Sequence, residues 1–130
     1  MAYEVLFLLG RLLAGGFYIM SGTNHFLHLD DLTGYAKSKK VPFAKWGVML
    51  TGLMLLLGGV SILLGTYVKV GVLLISLFLL AVNVKMHNFW ALEDDQKRAE
   101  KLNFMKNMAL LGSALMWLAI TAPWPLSLGL

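Results

Sequence analysis

Four long apolar runs dominate the chain, at residues 4–22, 45–65, 67–89 and 103–122, separated by stretches where charged and amide side chains crowd together. None alternates with the period of two that marks a strand, and each approaches the roughly 20 residues a helix needs to cross a bilayer. A helix satisfies its own backbone hydrogen bonds, which a hydrocarbon environment demands. The pattern predicts an all-α fold, a four-helix transmembrane bundle occupying residues 1–130 as a single membrane domain. Pro123 and Pro125 are expected to end the last helix, since proline lacks the donor a continuing helix needs.

The connections differ in length. Only Gly65 and Thr66 separate the second run from the third, so those two helices should be antiparallel neighbours. The first connection is long, and its "LDDLTGYAKSKK" predicts a short interfacial helix between spans one and two. Asp30 is the expected N-cap and Val41-Pro42 the stop, with Lys37, Lys39 and Lys40 beside Leu32 and Tyr35 at the headgroup surface. A plain soluble loop fits the same residues.

Composition agrees with a membrane solvent. The chain is 58% hydrophobic and 14% charged, against about a quarter charged in soluble domains. The net charge of +4 does not mark a nucleic-acid binder, because the basic residues sit in the loops between apolar runs. Lys37, Lys39 and Lys40 lie in loop 23–44, and Lys97, Arg98 and Lys101 in loop 90–102, while the opposite side has only Lys69 and the N-terminal amine. Lysine and arginine mark the cytoplasmic side. Both termini are therefore expected outside, in the periplasm, with the two long loops cytoplasmic in an inner membrane. Trp46, Phe89 and Trp90 would sit at one interface, Tyr67 and Trp124 at the other. Arg11 and the lack of a basic n-region make the first run a retained span rather than a signal peptide. With no cysteine, disulfides, thiolate metal sites and thiol catalysis are excluded.

Two features point to chemistry. In the first run Glu4, Leu8, Arg11, Gly15, Tyr18, Gly22 and His25 recur at intervals of four and three, so they share one helix face. The glycines allow a neighbouring backbone close, and Arg11 reads either as snorkelling to the headgroups or as facing inward to bind an anion or polar head group. The second feature is convergence. The predicted topology gathers Asn24, His25, Asn83, His87, Asn88, Asn103, Lys106 and Asn107 at one end of the bundle. The plain alternative is that helix ends turn polar anyway, but Asn83 lies about a turn deeper than that requires. Candidate ligand-binding residues are thus Arg11, His25, Asn83, His87, Lys106 and Asn107. The three histidines, His25, His28 and His87, carry no metal-ligand spacing, so no metal site is expected, and Glu93, Asp94 and Asp95 read as a solvated loop.

"RLLAGGFYIMSGTNHF", the "VP" before span two, "GGVSILLG", "MHNFW" and "FMKNMALLGSALM" together resemble the DoxX family of small four-span membrane proteins, in order along nearly the whole chain. The resemblance implies a compact membrane bundle and a redox setting, since the family takes its name from a subunit linked to thiosulfate:quinone oxidoreductase. Arg11, His87, Lys106 and Asn107 match the family's polar positions. Many members carry lysine where this chain has His25, and glutamate at or near Leu55.

The expected function is a membrane subunit of a redox-linked complex, not an enzyme on its own. No cofactor is held with certainty by the chain; a quinone is the one its pocket would take, with His87, Lys106 and Asn107 as donors beside Phe89, Trp90 and Phe104. Lipid and other membrane subunits, or further copies of the chain, are the expected partners. The alternatives are a non-catalytic accessory or assembly subunit and an oligomeric small-solute carrier.

Overall fold

The computed structural model describes residues 1–129. Five α-helices follow in order: α1 Ala2–Leu27, α2 Leu29–Ser38, α3 Ala44–Leu64, α4 Val68–Lys85 and α5 Asp94–Trp117, with a single 3-10 turn at Phe89–Ala91 before the last. There is no strand among the described residues, and the fold is a helical bundle. Three helical stretches, Ala2–Leu27, Ala44–Leu64 and Val68–Ala91, are long and apolar enough to cross a membrane. The fourth expected span lies on α5, whose first turns carry charge and whose helix stops at Trp117 rather than at residue 122. There the backbone tightens into i→i−3 bonds from Leu118, Ala119 and Ile120, and the proline-rich tail folds back over the bundle.

The most extensive interface joins α1 to α3, and glycine makes it possible. A Cβ on Gly22 would lie 2.7 Å from the Gly52 carbonyl oxygen, and one on Gly15 would lie 2.9 Å from that of Gly59. The two backbones touch where lipid offers no competing apolar drive, so van der Waals contact between small residues holds the pair. Helix α3 ends at Gly65, whose left-handed φ of 67° closes the tight connection to α4. Helix α4 packs on α3, α5 packs on α4, and α2 lies against α3. Among the described residues α1 and α5 make no close backbone approach. Side chains bridge that seam instead: Tyr18, buried, meets Trp117 edge to face at 6.4 Å.

The stripe read from α1 is the buried one, since Arg11, Gly15, Tyr18 and Gly22 face the interior and Glu4 is exposed. The short helix between α1 and α3 forms, but His28 precedes it as N-cap and Asp30 falls in its first turn without capping it. Trp124, placed by sequence at the interface, is buried at 3% exposure and stacks edge-on against Phe7 at 5.1 Å. The folded-back tail gives it an apolar partner that a linear reading does not contain.

Candidate functional site

Helix packing divides the polar residues between two ends of the bundle. At the end carrying both termini, Arg11 is 4% exposed and turned inward. Its Nε donates to the Ile62 carbonyl at 3.3 Å and its Nη2 to that of Leu63 at 3.0 Å. These belong to the last turn of α3, where carbonyls have no intrahelical partner. Its Nη1 donates to Pro125 at 2.6 Å and Leu126 at 3.2 Å. Arg11 thus ties α1, the end of α3 and the tail together, so its planar fork acts as a structural clamp, beside a cavity of about 260 Å³ that it lines with Phe7, Trp117 and Trp124.

The other end, formed by the close of α1, α2, the start of α3, the close of α4 and the start of α5, holds two adjoining cavities. One, of about 230 Å³, is walled by Tyr18, Ser21, Asn24, His25, His87 and Asn107 together with apolar side chains. The second, of about 300 Å³, is mainly apolar and lies under α2, between Val41, Ala44, Val48, Phe78 and Met86. His25, Leu32, Phe78, Val82 and His87 wall both. A chamber with several polar groups in its wall thus adjoins a more apolar groove, the combination that holds a small ligand with a polar head.

Both chamber histidines, His25 and His87, are oriented through Nδ1. That of His25 lies 2.7 Å from the Ser21 carbonyl one turn back, and the ring meets Phe78 edge to face at 5.8 Å. That of His87 lies 2.6 Å from Glu100 Oε2. Tyr35 on α2 donates to Glu100 Oε1 at 3.2 Å. One carboxylate therefore joins α2, the segment after α4, and α5. Burial, and after it the charge and hydrogen bond of Glu100, raise the Tyr35 phenol above its ordinary value. Deeper, the Tyr18 hydroxyl is buried without a partner among the described residues.

Of the residues picked from sequence, His25, His87 and Asn107 come together at the chamber, with Asn24 beside them. Asn83 does not line it. It is 2% exposed and donates from Nδ2 to the Phe104 carbonyl at 3.3 Å, a link from α4 to α5 whose Oδ1 stays unpartnered. Lys106 is exposed and lines neither cavity. With Asn107 turned to the bundle, the neighbouring position points about 100° away around the helix. His28 is exposed, and among the described residues no three metal-ligating side chains gather at one point. Glu100, Tyr35 and the Tyr18 hydroxyl were not among the expected site residues. A signal for Glu100 existed: Glu100, Asn103 and Asn107 are spaced three and four apart, but they share a helix face only once α5 is known to begin at Asp94.

The sequence model of the DoxX family matches residues 6–88. The chain belongs to the DoxX family. It is an integral membrane protein of that family. It is 27% identical over 127 residues to the inner membrane protein YphA of Escherichia coli (strain K12), covering 98% of this chain and 90% of that protein. No solved structure matches it. Within this DoxX protein the family match takes in His25 and His87 and stops short of Glu100 and Asn107, so α5 supplies the chamber with residues from outside the matched segment.

Proposed function

We propose that this DoxX protein is an inner-membrane subunit of a redox-linked complex, and that the chamber walled by His25, His87 and Asn107 binds a quinone-like ligand. The observation that carries the reading is a chamber of about 230 Å³ with polar side chains set in an apolar wall, beside a more apolar groove of about 300 Å³, with the two histidines shared between them. The chamber suits a polar ring head and the groove an apolar tail. The Tyr18 hydroxyl, buried without a partner at the chamber wall, is a further group a ligand would satisfy. A quinone supplies two-electron redox chemistry when bound, and the electrons would come from a partner subunit. The name of the Escherichia coli relative supports an inner-membrane location. In this reading α5 crosses beside the other three spans, the basic loops 23–44 and 90–102 lie in the cytoplasm and both termini outside.

Purification in mild detergent, followed by solvent extraction and mass spectrometry, tests the reading. Quinone recovered near one per chain from the native protein, and lost from His87→Ala at equal yield, is the expected result. Native protein that carries no quinone and does not take up an added short-chain quinone overturns it.

A further inference from the structure

The two chamber histidines have their protons placed for them. The partner of His25 Nδ1 is the Ser21 carbonyl oxygen at 2.7 Å, which can only accept. His25 must therefore carry its hydrogen on Nδ1. The partner of His87 Nδ1 is Glu100 Oε2 at 2.6 Å, and the other oxygen of that carboxylate accepts from Tyr35 at 3.2 Å. Opposite a carboxylate, which only accepts, His87 too holds its hydrogen on Nδ1. In a neutral imidazole the remaining nitrogen is then a bare acceptor. Neither Nε2 has a partner among the described residues, and both rings wall the same two cavities.

We propose that the chamber selects the hydroxyl-bearing form of its ligand, a hydroquinone or phenol rather than the carbonyl-bearing quinone, because His25 and His87 both wall it and each keeps Nε2 as an acceptor. This rests on the quinone-pocket reading above and adds a direction to it. A quinone carbonyl meeting a bare imidazole nitrogen sets acceptor against acceptor and leaves both desolvated, whereas a hydroxyl fills the position. Tyr18, Ser21 and Asn107 do not oppose this preference, since a hydroxyl or amide can turn to donate or accept. Glu100 acts as a positioning residue through His87.

Two measurements on the full chain in detergent micelles test it. The first is side-chain nitrogen NMR of histidine-labelled protein at pH 8, which reads the tautomer without any ligand. Hydrogen on Nδ1 at both His25 and His87, each assigned by its loss in His25→Gln and His87→Gln, is expected, and hydrogen on Nε2 at either overturns the proposal. The second is anaerobic binding of decyl-hydroquinone, its dimethyl ether and the matching decyl-quinone. The hydroquinone should bind about tenfold tighter than either partner at pH 8, the margin of one well-made hydrogen bond. That margin should shrink in His87→Phe. Equal affinity of the three compounds overturns the proposal while leaving the pocket standing. If none of them binds, the quinone-pocket reading fails, and the tautomer result reports separately on the placement of the protons.

Discussion

His87 and Glu100 are joined through Nδ1 and Oε2 at 2.6 Å, and this contact fastens the segment after α4 to the first half of α5. Both side chains are shielded, at 18% and 16% exposure, so water competes for them less than at an open surface pair. The same carboxylate takes the Tyr35 hydroxyl from α2. Three elements distant in sequence thus meet on one acidic residue beside the chamber.

Glu100→Ala should release the His87 ring. We expect a loss of about 1.5–3 kcal/mol in stability, the net scale of a hydrogen bond to a charged group, together with weaker binding of decyl-hydroquinone. Glu93→Ala, which removes an exposed carboxylate that makes no side-chain cap, should leave binding unchanged. Thermal unfolding in detergent and a binding titration on both variants check this; equal behaviour would show that the contact has no bearing on the site.

Arg11→Ala should loosen the end of α3 and the tail together. Four carbonyls lose their donor in a place that water reaches poorly, which should cost about 3 kcal/mol or more. Arg11→Lys should recover only part of this, since an ammonium cannot reproduce the planar fork. Hydrogen exchange by mass spectrometry should show faster exchange at residues 126–129 in both variants, with the larger effect in Arg11→Ala. Unchanged exchange would contradict the clamp.

Glycine substitutions in α1 should separate into two kinds. Gly22→Val drives side-chain carbons into the Gly52 carbonyl and the Leu56 backbone, so it should destabilise the bundle by about 3 kcal/mol or prevent its isolation. Gly16→Ala, at a site with nothing within 4 Å of the new carbon, should be neutral or add about 0.5–1 kcal/mol through helix propensity. Expression yield and melting temperature in one detergent distinguish them.

The Tyr35 contact should be sensitive to alkali. Burial and the neighbouring Glu100 raise the folded-state value of this phenol above its ordinary value of 10.0. A group whose folded value is raised contributes its full stabilisation below the unfolded value and loses it as pH climbs through the folded one. The difference in melting temperature between the native chain and Tyr35→Phe should be constant from pH 7 to 9 and narrow above about pH 10. A difference that grows with alkali would reverse the assignment.

The sequence by itself determined the helical, membrane-embedded character of this protein, because in hydrocarbon few backbone arrangements leave no polar group unpaired. It also placed Arg11, Gly15, Tyr18 and Gly22 on one face of α1, since they keep helical spacing, while leaving open whether Arg11 met headgroups or the interior, and it determined the meeting of His25, His87 and Asn107, which follows from helix order and loop length. Tertiary structure alone decided where Arg11 spends its donors, because its acceptors are backbone carbonyls that any residue type carries. It decided too that Lys106 faces out and that Asn83 serves α5 rather than the chamber, since a helix rotation of one residue changes which neighbour a side chain meets. Glu100 was hidden for a related reason. Its segment is polar enough to read as loop, and only packing against the end of α4 and α2 extends α5 back to Asp94 and turns that carboxylate toward His87 and Tyr35.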